Sequence, residues 1–145
     1  MALGVSICLS YGTMRGMNFL RRKNFDPIAA QLVAAGLSTD AAHLLSRSGT
    51  AVTLQPGVPL CREGQFGREA FVLVSGEAVV TQDEDEVRTV AAGEVIGEIA
   101  ALDSRRTRTA TVETTKKSVV LAYDVATFRV LAEQFTDLLV PSRAA

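Results

Sequence analysis

The sequence predicts a mainly β domain with flanking helices, an antiparallel β-roll or jelly roll of about eight strands with a helical segment before it and a helix after it. Three observations carry this. The hydrophobic period changes at Thr50 from helical spacing to short runs rich in Val, Leu and Phe; turn residues interrupt those runs every eight to twelve positions or so; and helical periodicity returns only after Asp124.

The helical prelude comes first. Asp26-Pro27 reads as an N-cap followed by proline in the first turn, and Ile28, Leu32 and Ala35 continue at helical spacing to Gly36. Ser38 caps a second helix that carries Leu44 and Leu45 and fades at Ser48-Gly49. Strands follow. Val52 and Leu54 lead to a turn at Gln55-Pro56-Gly57, then a strand over 58–61 and a loop at Glu63-Gly64-Gln65. Residues 71–74 form a strongly apolar strand ending at Ser75-Gly76, and 78–81 form the next. The run Asp83-Glu84-Asp85-Glu86 has no ligand spacing for a cation loop and reads as a solvated hairpin tip, with 87–90 as the returning strand. Gly93 opens a turn into Val95 and Ile96. Residues 118–123 give a last strand, Asp124 caps a helix with Phe128, Leu131, Phe135 and Leu138 on one face, and Pro141 stops it.

The domain division is a basic N-terminal arm over 1–25 and a single domain over 26–145, with helices in 26–48, the β-roll in 50–123 and the final helix in 124–140. The arm holds Arg15, Arg21, Arg22 and Lys23 and no acid before Asp26. Its basic cluster follows the apolar stretch instead of preceding it, so a secretory signal fits poorly, and a docking or flexible arm is expected.

Composition narrows the function classes. The chain of 145 residues is 48% hydrophobic and 21% charged, and its net charge of −1 argues against broad capture of nucleic acid or an anionic membrane. Cys8 and Cys61 describe neither a disulfide framework nor a metal site, which points to a reducing, cytoplasmic setting. A metal-dependent jelly-roll enzyme needs at least two converging histidines, whereas this chain has only His43, expected on a helix surface or packing face. No metal and no cofactor are expected, and no catalytic residue is assigned.

One stretch combines the features of an anion pocket. Gly97-Glu98-Ile99-Ala100-Ala101-Leu102 places small and apolar residues around a single carboxylate, so that a short helix starting there would aim unpaired backbone N–H groups at an anion. Arg108-Thr109-Ala110-Thr111-Val112 supplies a fixed cation at the head of a β-favouring run, where a strand would hold the guanidinium fork inward for bidentate pairing with a phosphate. The purely structural alternative is an ion pair between Glu98 and Arg108 that ties two segments together.

These residues resemble the phosphate-binding cassette of cyclic nucleotide-binding domains: glycine-glutamate, small or apolar residues, then arginine, a small residue and Ala-Thr-Val. The likeness runs over about 37–135 and takes in the Glu63-Gly64 loop, the Ser75-Gly76 turn and the closing helix. It implies a non-enzymatic regulatory domain that binds cAMP or cGMP and relays binding by helix movement. Arg108 would grip the cyclic phosphate, Glu98 would accept a hydrogen bond from the ribose 2′-hydroxyl, and the N–H groups of Ile99 and Ala100 would complete the cradle. Thr109 would add a hydroxyl, which in cGMP-preferring members also meets the guanine amino group. The family closes its base with a long final helix, for which the residues after 140 are too few, so a lid is expected from the N-terminal arm or a second subunit. The competing class of function is a β-roll without ligand that serves as a dimerisation or docking module. A helix-turn-helix, as in related transcription factors, has no room in 141–145, and neither nucleic acid nor membrane insertion is expected.

Overall fold

A computed structural model describes residues 25–97, 103 and 105–134. The polypeptide begins with helix α1 (Pro27–Ala34), where one carboxylate oxygen of Asp26 accepts the N–H of Ile28 and of Ala29, both at 3.0 Å. At its other end the Leu37 N–H donates to the Leu32 carbonyl at 3.1 Å across Gly36, the wrap that stops a helix and turns the chain. Helix α2 (Thr39–Ser48) starts on the Ser38 hydroxyl, which accepts from Ala41 N–H at 3.2 Å. His43 lies half-buried on it, its Nδ1 2.9 Å from the Thr39 carbonyl oxygen.

Eight strands follow among the described residues: β1 (Thr50–Leu54), β2 (Pro59–Cys61), β3 (Glu69–Ser75), β4 (Ala78–Gln82), β5 (Asp85–Val90), β6 (Val95–Ile96), β7 (Thr111–Thr114) and β8 (Ser118–Asp124). They form two antiparallel sheets, in the orders β1-β8-β3-β6 and β2-β7-β4-β5. This is the β-roll expected from the turn spacing.

The run from Ala70 to Val74 is buried throughout, because β3 is covered on both faces. Ala70, Val72 and Val74 pack with Leu32, Leu45, Leu121 and Phe128 on the helical side. Phe71 and Leu73 pack with Val80, Ile96, Val112 and Val120 between the sheets. Strand β8 divides in the same way, and its Tyr123 ties the layers: the hydroxyl donates to the Leu45 carbonyl at 2.6 Å. Burial pushes the Tyr123 hydroxyl up from its ordinary value, so it keeps the proton it donates. Gly49 leaves space for that ring, where a Cβ would stand 2.6 Å from it. Helix α3 (Val125–Gln134) closes the domain with Phe128, Leu131 and Ala132 inward, capped by Asp124, whose carboxylate accepts Thr127 N–H at 2.7 Å. Phe135 and Leu138, expected on the same face, lie outside the described residues, as do residues 1–24 of the basic arm.

The hairpin tip differs from the sequence reading. Asp85 and Glu86 already belong to β5, and the turn consists of Asp83 and Glu84 alone, at φ 52° and 70°. Positive φ at both positions of a two-residue hairpin connection is the pattern of a type I′ turn, which matches the strand twist, and here it is made without glycine. The Asp83 N–H donates to Glu63 at 3.0 Å, which joins the tip to the loop after β2.

The Asp26 cap makes stability depend on pH. Partial burial pushes its carboxyl up, but hydrogen bonds from Ser46 and the amides of Ala29 and Ile28, with His43 nearby, hold it below the ordinary carboxylate value. A lowered folded-state pKa means that the ionised cap stabilises the fold above the unfolded value of about 3.9 and that this contribution is lost as pH falls through the folded value. Asp26→Asn keeps a capping oxygen but cannot titrate. Between about pH 5 and pH 3 the wild type should therefore lose more denaturation midpoint than Asp26→Asn, whereas parallel curves would mean that the cap's charge is immaterial. Asp26→Ala should cost about 1 kcal/mol at neutral pH.

Candidate functional site

Two loops and the ends of two strands converge on Arg108. Its backbone is clamped against the loop after β2: the Arg108 N–H donates to the Gln65 carbonyl at 2.8 Å, and its own carbonyl accepts the Gly64 N–H at 2.9 Å. The neighbouring pair Phe66 and Thr107 form an isolated antiparallel bridge. Thr111, at the start of β7, accepts the Glu63 N–H on its hydroxyl at 2.9 Å and fastens the other end of the loop. The Arg108 backbone thus sits in a loop three residues before β7, not at the head of a strand as its β-favouring neighbours predict. Strand pairing begins only at Thr111, because residues before it are engaged by the 63–66 loop.

Arg108 is 5% exposed. Its Nη1 donates to the Gly97 carbonyl at 2.8 Å and its Nη2 to the Glu69 carbonyl at 2.8 Å. Two glycines form its seat. A Cβ at Gly67 would run into Nε, Cζ and Nη2 of the guanidinium, and one at Gly97 would run into Nη1 and approach the Cys61 sulfur. Gly97 also has φ 81°, a left-handed conformation that costs a glycine nothing. The turn that delivers it is locked by Glu94, whose carboxylate pairs with Arg88 at 2.8 Å.

Burying a cation is costly unless it is paired as well as hydrogen-bonded. Among the described residues no carboxylate lies in ion-pair range of Arg108; its partners there are neutral carbonyls. The guanidinium borders an open cavity of about 260 Å³, whose wall also carries Leu60, Cys61, Phe66, the two arginines Arg62 and Arg68 and one acidic residue, Glu69. A buried cation at the edge of a cavity with further arginines on its wall is suited to an anion.

Of the residues singled out from sequence, Gly97 and Arg108 meet in one hydrogen bond, and Thr109 follows half-buried. Glu98, Ile99 and Ala100 lie outside the described residues. The loop arginine Arg105 turns to Asp103, whose carboxylate accepts its N–H at 3.0 Å and its Nε at 3.2 Å, and it does not line the cavity. Sequence reasoning missed Gly67, the Glu69 carbonyl and Phe66. The spacing Gly64-Gln65-Phe66-Gly67, two glycines bracketing an aromatic, was the available signal. Among the described residues, no three His, Cys, Asp or Glu side chains gather as a metal site, and no helix is long and apolar enough to cross a membrane.

Comparison with known proteins agrees with this fold. The family model for the cyclic nucleotide-binding domain matches residues 51–135, more than half of the chain. The Pycsar effector protein PaPycTIR of Pseudomonas aeruginosa is 31% identical over 99 residues, which cover 68% of this chain and 32% of that protein. A cGMP-dependent protein kinase of Eimeria tenella is 32% identical over 84 residues, 57% of this chain and 8% of the kinase. The chain thus spans a third or less of the length of these relatives. Among solved structures, PKAR CBD2 bound to Sp-2Cl-cAMPS superposes with a TM-score of 0.67 at 23% identity, over 83% of each chain, which shows a shared fold. With its β-roll and the matched family model, the chain belongs to the cyclic nucleotide-binding domain family.

Proposed function

We propose that this domain is a non-enzymatic sensor that binds cAMP or cGMP at Arg108 and relays the binding through α3. The observation that carries the reading is the buried guanidinium at the cavity edge, held by two carbonyls and by no carboxylate among the described residues. Arginine has five N–H donors in a rigid fork, so the two carbonyls fix its direction and the rest of the fork serves the phosphate oxygens. Glu98 accepts the ribose 2′-hydroxyl, the Ile99 and Ala100 N–H groups take further phosphate oxygens, and Thr109 contributes a hydroxyl beside the arginine. The two nucleotides to try are those that the relatives' names carry, cGMP for the kinase and a cAMP analogue for the solved domain. Competition of unlabelled cAMP and cGMP against a labelled cyclic nucleotide ranks them; displacement by neither sinks the reading.

The relay element is α3. It packs through Phe128 and Leu131 on the same core as β3, the strand whose first residue, Glu69, gives its carbonyl to Arg108. A ligand that draws on the Arg108 fork biases that packing. Saturating nucleotide should change amide hydrogen exchange in 125–134, and exchange there that is identical with and without ligand would remove α3 from the mechanism.

A further inference from the structure

We infer that Glu94 is a positioning residue for the nucleotide site: its ion pair with Arg88 fixes the segment over 93–97 that brings the Gly97 carbonyl to Arg108. The inference rests on the cyclic-nucleotide reading of the Arg108 pocket. That segment has little strand support of its own. β6 holds only Val95 and Ile96, paired with Val72 and Phe71 at the edge of its sheet, and Gly97 follows with φ 81°. Where Gly97 stands therefore depends on what holds the turn before β6.

Glu94 holds that turn. Its backbone carbonyl accepts the Leu73 N–H at 3.0 Å, and its N–H donates to the Ala91 carbonyl at 3.2 Å. One carboxylate oxygen accepts the Ala91 N–H at 3.4 Å and the other accepts Arg88 Nη1 at 2.8 Å. Arg88 belongs to the other sheet. It stands opposite Val80 across β4 and β5, and Val80 is buried between the sheets, so the two share the inner face. The pair thus ties one sheet to the segment that leaves the other, with side chains 27% and 22% exposed.

As a stabilising device this pair is poor. Arg88 Nε and Nη2 are buried with no hydrogen-bond partner among the described residues, which is destabilising, and a buried ion pair is often no more stabilising than apolar residues of similar volume. What it supplies is direction. The segment is gripped at both ends by arginines, Arg88 through the Glu94 carboxylate and Arg108 through the Gly97 carbonyl. Once the first grip is released, Gly97 no longer holds one arm of the Arg108 fork where the phosphate meets it.

The test separates positioning from stability. Arg88→Met/Glu94→Gln removes the ion pair, leaves no buried charge behind and keeps an amide oxygen for the Ala91 N–H. It should melt at or above the wild-type temperature. It should nevertheless bind the better of cAMP and cGMP roughly three- to thirtyfold more weakly, the range for coupling through a packed segment. Glu94→Gln alone, which keeps the acceptor but not the charge, should lie between the double variant and wild type. In an Arg108→Ala background the double substitution should cost no further affinity, because the orientation it protects is already gone. Three results overturn the assignment while leaving the Arg108 site standing: unchanged affinity in the double variant, a further loss in the Arg108→Ala background, or a loss that comes with a fall in melting temperature. Absence of nucleotide binding in the wild type overturns both.

Discussion

Replacing Arg108 by alanine should weaken binding of the preferred cyclic nucleotide by about ten- to a hundredfold. A hydrogen bond to a charged group contributes about 1.5 to 3 kcal/mol, and 1.4 kcal/mol is a factor of ten. Loss of one such bond to the phosphate gives the lower bound and loss of a bidentate pair the upper. The same substitution leaves the Gly97 and Glu69 carbonyls without this donor, so part of its effect falls on the fold. Arg108→Lys separates the two contributions: it keeps the charge, but a single ammonium cannot span both carbonyls and a phosphate as the planar fork does. Thermal denaturation should rank alanine below lysine, while titration should find both well below wild type. Affinity unchanged in Arg108→Lys would mean that only net charge matters.

Gly67→Ala should have nearly as large an effect on binding while leaving Arg108 itself unsubstituted. The new Cβ occupies the place of Nε, Cζ and Nη2, so the guanidinium must leave its seat. Gly67 has no left-handed backbone conformation, so the cost is steric and local. We expect a loss of about tenfold or more in affinity, and about 1 to 3 kcal/mol in stability from overpacking. Gly57→Ala is the control. Gly57 has φ 86° but nothing within 4 Å of its would-be Cβ, so that variant pays backbone strain alone and should bind nucleotide as wild type does. If Gly67→Ala also binds normally, the orientation of the fork is not what the site depends on.

The fold was legible because local signals agreed with it. Asp26-Pro27, Ser38 and Asp124 are caps whose side-chain oxygens accept the amides that the sequence pattern assigns to them. The β-roll followed from turn spacing and from apolar runs whose alternate residues serve two cores. The turn at Asp83-Glu84 was not legible to the residue, because both positions adopt left-handed backbone without a glycine to mark it. Arg108 was legible as a cation beside Thr109 and a β-favouring run. Its surroundings were not: the groups that aim it are backbone carbonyls of Glu69 and Gly97, and carbonyls leave no trace in side-chain patterns. The clamp of Arg108 by Gly64 and Gln65 spans more than forty residues of sequence, a closure that only the sheet topology supplies.

The most direct measurement is calorimetric titration of the wild-type chain and Arg108→Ala with cAMP and with cGMP. Saturable heat at one site per chain with at least one nucleotide, lost or strongly weakened in Arg108→Ala, is the predicted result. No saturable heat with either nucleotide at millimolar concentration, or equal binding by both proteins, would contradict the account.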